Sequence, residues 1–536
     1  MNALWHKNPT LDPTVAWLLT RFLALALAGL MGPGLSAKEQ RDSRSNYQSA
    51  VFEDRSRLET ARAVFPEIER IYREHAIENH FPGVAFGLVL DGELVFSGSH
   101  GFADLETKTP VTERTLFRIA SMTKSFTAMA ILQLRDQGKL RLDDPASRHL
   151  TELRKIKPLT ADAPAITIRD LLTHSAGFPE DNPWGDWQLA DTEADLVQLI
   201  RDGPSFSNPP GVAYEYSNLG FALLGRVVTR VSRMPYQRYI DRRILQPLGM
   251  IQTEWEYSNI PPELLAHGYR WEEEQWKPEP MLHDGSFGAM GGLISSVDEF
   301  ARYLALHLTA WPPRDDAESG PLKRSSLREM HQPGRISGLV LEAKTPEGTN
   351  CPMMTGYGYG LGWSKDCQGR ISVGHSGGLP GFGSNWRILP EYGIGVVALA
   401  NRTYANAGQA NTQVIDLLLN KLKLEPRSLP VSTILEQRRR ELIEFLPDWN
   451  EAALSSGIFA ENFFKDQSIE LRRESARELF EKAGSIVAVG EIKPLNNLRG
   501  TFVFEGTQDK VEVWFTLTPE DPPRIQALRM KALLPE

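Results

Sequence analysis

"ISVGHSGGLP", residues 371–380, holds a pattern with two incompatible readings. Gly374-His375-Ser376-Gly377-Gly378 fits G-x-S-x-G, the nucleophile elbow that seats a serine between a strand and a helix. The elbow needs that helix directly after the serine. The residues that follow, Gly377-Gly378-Leu379-Pro380-Gly381-Phe382-Gly383, are poor helix formers throughout. Chain order fails as well. Elbow hydrolases place the catalytic histidine after the nucleophile, and His375 is the last histidine of this chain. The stretch therefore reads as a strand whose end is rich in glycine, and the nucleophile lies elsewhere.

Ser121-Met122-Thr123-Lys124 offers one. A serine at the start of a helix and a lysine three residues on share a face, so the amine reaches the hydroxyl. A buried lysine loses proton affinity and can act as a base. The helix N-terminus favours the negative charge that develops on attack. S-x-x-K is common by chance, so its surroundings decide. Tyr214-Glu215-Tyr216-Ser217-Asn218 supplies Tyr-x-Asn between this motif and the late strand. A phenolate at Tyr216 near Lys124 would take the serine proton and return it to the leaving group. Asn218 would bond Lys124 and a substrate amide.

The surrounding chain sorts into segments. A helical pattern runs to His75. VAFGLVL and ELVFSG flank Asp91-Gly92, which is a hairpin signal. The helix opening near Ser121 keeps Phe126, Met129, Ala130 and Leu134 on one face and stops at Gly138. Residues 139–300 are mostly helices and loops. From Tyr357, YGYGLGW, RISVGH, NWRIL and GIGVVALA suggest an antiparallel meander, closed by a helix over 411–422. Strands at both ends with helices between predict an α+β domain whose sheet is completed late in the sequence. Residues 426–430 read as a linker. Helices and then GTFVFEG, KVEVWFTL and IQALRM predict a separate small α+β domain.

Read together, "FRIASMTKSFTA" (117–128), "ITIRDLLTHSAGF" (166–178), "NPPGVAYEYSNLGFALLG" (208–225), "ILQPLGM" (244–250), "GGLISSVDEFARYL" (291–304) and "GHSGGLPGF" (374–382) resemble the serine β-lactamase-related hydrolases. That group holds class C β-lactamases, D-Ala-D-Ala carboxypeptidases, D-aminopeptidases and esterases. The likeness runs over about residues 55–420, in order. It implies a β-lactamase/transpeptidase-like fold: an antiparallel sheet flanked by helices, plus a helical subdomain. It implies Ser121, Lys124 and Tyr216 as catalytic residues and an acyl-serine intermediate. His375-Ser376-Gly377 matches the family's third motif, Lys-Thr-Gly or His-x-Gly, on a strand lining the cleft. The N–H groups of Ser121 and Gly378 would then form the oxyanion hole, whose loss costs about 3 kcal/mol per donor. Asn218, His375, Ser376, Gly377 and Gly378 are the expected substrate-binding residues. β-Lactamases of the family typically carry lysine where this chain has His375. Histidine is only partly charged near neutral pH, which favours esters, amides or peptides over penicillin-like anions. A non-turnover penicillin-binding or sensor protein on the same fold is the alternative, and a third reading makes the last domain the functional centre. That domain resembles an NTF2-like module.

Other features bound the reading. The chain has 536 residues, 41% hydrophobic and 24% charged, with a formal charge of −9. No block of lysine and arginine marks a nucleic-acid surface, and Arg438-Arg439-Arg440 reads as the wet face of a helix. FLALALAGLM (22–31), with Arg21 before it and Gly32-Pro33-Gly34 and Ser36-Ala37 after, reads as a secretory leader. The expected organisation is a signal peptide at 1–37, a hydrolase domain at 38–425 and an α+β domain at 426–536, with the protein periplasmic or secreted. Cys351 and Cys367 are the only cysteines. They either staple a loop, worth about 3 kcal/mol, or stay as free thiols. His174 in THSAG reads as a structural residue of a turn, and Asp143-Asp144-Pro145 as a turn before a helix. Trp184, Trp187, Trp255, Trp271 and Trp276 either line the entrance or pack. No H-E-x-x-H, His-x-His or phosphate-binding loop is present, so neither metal nor organic cofactor is expected. The expected partner is a small molecule or short peptide.

Overall fold

The computed structural model describes residues 47–533; the expected leader at 1–37 lies outside them. Among the described residues no helix is long and apolar enough to cross a membrane. The chain divides into two compact units that meet at Ser428 and Leu429, three residues later than the domain break expected from the sequence.

In the first unit, helix α1 (Phe65–Glu78) precedes strands β1 (Gly83–Leu90) and β2 (Glu93–Asp104). Asp91 and Gly92 join the strands with φ of +54° and +91°. Two left-handed residues give the turn whose twist matches paired strands, which is why the Asp-Gly signal worked. The short β3 (Thr109–Pro110) follows. After a long helical stretch come β4 (Arg335–Val340), β5 (Met353–Tyr357), β6 (Gly362–Lys365), β7 (Ile371–Leu379), β8 (Phe382–Leu389) and β9 (Ile394–Ala400). Together they form one antiparallel sheet in the order β3-β2-β1-β9-β8-β7-β6-β5-β4. The last strand thus pairs with the first, so the two ends of the unit close a single sheet.

Every residue of β1 is buried, because helices cover both faces of the sheet at its centre. Phe86, Leu88, Val396 and Ala398 pack with Tyr72 of α1 and with Val414 of α5 (Ala407–Asp416). Ala85, Val89, Val397 and Leu399, alternating with them along the strands, share a core with Phe126 of α2 (Thr123–Asp136) and Phe300 of α4 (Val297–Thr309). The helical part between β3 and β4 also contains α3 (Asn218–Ser232), which packs against α2. Cys351 and Cys367 form a disulfide. It closes the β5–β6 hairpin from outside, at the start of β5 and beyond the end of β6.

The second unit contains helices α6 (Thr433–Phe445) and α7 (Ile469–Ala483), each N-capped by a serine, Ser432 and Ser468. Five antiparallel strands follow: β10 (Ile486–Val489), β11 (Lys493–Asn496), β12 (Arg499–Gly506), β13 (Lys510–Leu517) and β14 (Ile525–Leu533). Their order is β10-β12-β13-β14, with β11 also on β12. Trp449, Phe463, Phe480, Phe502, Phe504 and Phe515 form a core of their own.

Candidate active site

The turn that carries Ser121 is held from several sides. Residues Ala120–Met122 form one 3-10 turn before α2 begins at Thr123. Ala120 adopts φ +50°, a left-handed value that costs a residue with a Cβ about 1–2 kcal/mol. Ile119 N donates to Leu293 O at 3.0 Å, and Leu293 N donates to Thr123 Oγ1 at 3.2 Å. Ser121 and Lys124 are both buried.

Lys124 Nζ lies 2.9 Å from Ser121 Oγ, 2.7 Å from Asn218 Oδ1 and 2.9 Å from the Met290 carbonyl. A neutral amine has two N–H groups and one lone pair. Asn218 and Met290 can only accept, so they take both hydrogens and leave the lone pair to the Ser121 hydroxyl. Burial pushes the Lys124 pKa down to about 7, with Asp186 and Asp181 pulling it back up. Near neutrality this amine is therefore a working base.

Asn218 is placed by the start of α3. Ser217 caps the helix, its Oγ accepting Gly220 N. The Asp181 carboxylate accepts Asn218 N at 2.6 Å and Leu219 N at 2.8 Å, an anion at the positive helix end. Asn218 Nδ2 donates to Asn182 Oδ1 at 2.6 Å, so both ends of its amide are fixed. Gly185 lies so close that a Cβ there would fall 2.7 Å from the Asn218 Cβ.

Tyr216, just before the cap, brings its ring centroid to 4.8 Å from Lys124 Nζ. Burial pushes its phenol well above the ordinary value, against the pull of the Ser121 hydroxyl. The phenol keeps its proton, so the phenolate expected from the sequence is corrected to a proton donor at rest. His174, with φ +53°, packs its ring at a tilt of 37° against Tyr216, centroids 4.3 Å apart, and its Nδ1 accepts Ser217 N at 3.0 Å. It holds the Tyr216 segment and takes no hydrogen bond to Ser121.

Strand β7 forms the facing wall. A Cβ on Gly377 would lie 2.3 Å from Ile119 O and 3.0 Å from Ala120 Cβ. Only glycine lets this backbone come so near the nucleophile turn. Gly378 faces the other way, against the Tyr404 ring. Ser376 Oγ accepts Asn385 Nδ2 at 2.9 Å. His375 Nδ1 bonds the Ser376 carbonyl, which can only accept, so Nδ1 carries the proton. Nε2 then accepts the Tyr357 hydroxyl at 2.8 Å. Burial, and next the Lys124 charge, push the His375 pKa down to about 3. The partial charge expected from the sequence is therefore corrected to a neutral ring.

Two cavities meet at Tyr216, His375 and Ser376. One, of about 410 Å³, is lined by Ser121, Asp186, Gly377, Gly378 and Tyr404 among others. No lysine or arginine lines it. The other, of about 380 Å³, lies beyond Tyr216 and includes Tyr214, Tyr357 and Trp363. All eight residues singled out from the sequence thus lie in or beside one cleft. Asp144 is set apart, accepting hydrogen bonds from Arg141 N and Arg148.

The Beta-lactamase family model matches residues 68–420. The chain belongs to the Beta-lactamase family. It is 27% identical over 340 residues to "Protein flp" of Staphylococcus aureus, covering 62% of this chain and 62% of that relative. It therefore spans less than two thirds of that curated relative's length. Among solved structures it is similar to the octameric penicillin-binding protein homologue from Pyrococcus abyssi: TM-score 0.56, 23% identity, 88% of this chain and 96% of that one. It is also similar to a D-stereospecific amidohydrolase from Streptomyces sp.: TM-score 0.51, 24% identity, 67% of this chain and 99% of that one. At these identities the likeness carries the β-lactamase/transpeptidase-like fold.

In this member of the Beta-lactamase family the sequence reading passed over Asp181, Asp186, Tyr357 and Tyr404. Asp181 and Asp186 lie in the DNPWGD segment, whose spacing matches no helix face or strand; long-range packing alone brings them to the cleft. Of the tryptophans, Trp255 is buried packing, whereas Trp184 and Trp187 are about half exposed, at 46% and 50%.

Proposed function

We propose that the chain is an exported serine hydrolase that cleaves an ester, amide or D-amino-acid peptide bond through an acyl-serine. The observation that carries this is the 2.9 Å approach of Lys124 Nζ to Ser121 Oγ, with the amine's other partners both acceptors. Ser121 Oγ attacks the carbonyl carbon as its proton passes to Lys124. The N–H groups of Ser121 and Gly378 hold the oxyanion. On collapse the bond to the leaving group breaks and Tyr216 gives that group its proton. Tyr216 is refilled from Lys124. Water then attacks the acyl carbon and gives a proton to Lys124. Ser121 Oγ leaves with a proton from Tyr216, and Lys124 passes the proton it took from water to Tyr216, which restores the site.

Substrate class follows from charge. A neutral His375 and a first cavity without lysine or arginine in its lining offer little to a penicillin-like carboxylate held there; Arg387 lines the second cavity instead. Ser376, Gly377 and the His375 edge contact the substrate, whereas Asn218, expected from the sequence to bind it, is fully buried and holds Lys124 instead. The Cys351–Cys367 bond fits an oxidising compartment, periplasmic or extracellular, in keeping with the leader. The partner is a small molecule or short peptide.

The test is a fluorophosphonate probe on purified protein, with the labelled peptide found by mass spectrometry. Labelling at Ser121, and a folded Ser121→Ala variant without ester hydrolysis, are expected. Labelling at another serine, or retained hydrolysis, overturns the reading. Stable penicillin labelling without turnover would move the chain to the non-turnover binding class.

A further inference from the structure

Asp186 is buried to 1% exposure, yet lines the same cavity as Ser121. Its Oδ2 accepts the Tyr404 hydroxyl at 3.1 Å. Its Oδ1 has no hydrogen-bond partner. A buried carboxylate oxygen without a donor is costly, and native sites that keep one are candidates for a ligand's donor. Burial raises the Asp186 pKa to about 6 against the pull of the Lys124 charge, and among the described residues no lysine or arginine forms an ion pair with this carboxylate. The segment leading to the short helical turn Trp184–Trp187 that holds it has two other acidic residues, Asp181 and Glu180, and Asp181 is already engaged at the α3 N-terminus.

The position suits one part of a substrate. The Tyr404 ring lies against Gly378, and the Tyr404 hydroxyl reaches Asp186. The carboxylate therefore sits about a tyrosine ring away from the proposed oxyanion wall. The leaving group has to lie toward Tyr216, which protonates it, and the second cavity opens beyond Tyr216. The acyl group is then on the side of Asp186.

We propose that Asp186 binds a cationic amine on the acyl part of the substrate, so that this site selects aminoacyl esters and amides with a free amino group. The proposal rests on the acyl-serine reading given above and names its substrate class. Asp186 contacts the ammonium through Oδ1, while Tyr404 orients the carboxylate.

The test compares alanyl p-nitroanilide, in both enantiomers, with its N-acetyl form at pH 7, where an α-amino group is mostly charged. Wild type is expected to favour the free amine at least about tenfold in kcat/KM, the worth of one charge-assisted hydrogen bond. Asp186→Asn is expected to bring that ratio near one. An equal rate on both forms in wild type, or a ratio unchanged in a folded Asp186→Asn, overturns the proposal. Calorimetric binding to Ser121→Ala decides it without turnover or the Asp186 variant. Alaninamide should bind at least about tenfold tighter than N-acetylalaninamide, and equal binding overturns the proposal. Turnover of p-nitrophenyl butyrate by wild type separates the two levels. If that ester and the anilides all resist hydrolysis while the binding difference stands, the acyl-serine reading falls and the amine site remains.

Discussion

Ser384 of β8 donates its hydroxyl to the Ile119 carbonyl at 2.8 Å, tying the central sheet to the turn that presents Ser121. The same carbonyl is 2.3 Å from where a Gly377 Cβ would stand, and so is Ser384 Oγ. The late strands and the nucleophile turn, more than 250 residues apart in sequence, are thus fitted together without space for one methyl group.

Gly377→Ala should therefore push β7 off the turn. Overpacking of a filled site costs about 1–3 kcal/mol, read as a lower midpoint in urea. Ser121 labelling should fall more than stability alone explains, because the strand carrying Gly378 moves with it. An unchanged midpoint with full labelling would show that the strand approaches less closely than this structure has it.

Labelling of Ser121 should rise with pH through about 7. Lys124, held near that value by burial, is a base only when it has lost its proton, so the rate climbs as the amine deprotonates and then levels. Lys124→Met should remove the limb and lower the rate by 100-fold or more, about the range for loss of a general base. A flat wild-type profile from pH 5 to 9 would count against the amine as base.

Tyr216→Phe separates acid from base. The phenol holds its proton at rest, and its proposed task is to protonate the leaving group. Amide hydrolysis should fall by about 10²–10⁴. A p-nitrophenyl ester, whose leaving group departs as a stable anion, should lose far less. Equal losses on both substrates would place Tyr216 elsewhere in the mechanism.

The sequence exposed this machinery unevenly. Ser121 and Lys124 were legible because i and i+3 on a helix share a face by geometry alone. The Asp91-Gly92 hairpin was legible because its turn residues suit left-handed backbone. The ribbon 269–272/275–278 was missed because its turn, Glu273-Glu274, takes φ of +53° and +60° without glycine or asparagine. Strand β11 was missed because Pro494 interrupts it, as an edge position permits. The charge of His375 was misjudged because burial, and next the Lys124 charge, hold the ring neutral, and only the folded structure supplies either.

Asp181→Ala should cost stability and catalysis together. Its carboxylate accepts two N–H groups in the first turn of α3, and loss of such a cap costs about 0.5–2 kcal/mol. Asn218 N is one of those donors, so the amide that holds Lys124 loses its anchor. Asp181→Asn keeps an acceptor without the charge and should fall between the two. Ester turnover that survives Asp181→Ala undiminished would show that the cap does not position Asn218.

His375→Lys supplies the last prediction. The neutral ring gives a substrate carboxylate no charge to meet, and a lysine in its place would supply one. Penicillin labelling should rise at least about tenfold relative to a neutral ester, the worth of one charge-assisted hydrogen bond. A second cation beside Lys124 also disfavours protonation of that amine. The rise of the pH profile should therefore move to lower pH than in wild type, where the neighbour is uncharged. The two readouts answer different questions. A gain in penicillin labelling reports on the substrate side of the strand, and the pH shift reports on the distance between positions 375 and 124. If labelling and profile both stay as in wild type in a folded variant, position 375 faces neither the substrate nor Lys124. The weak capture of a substrate carboxylate would then need another source.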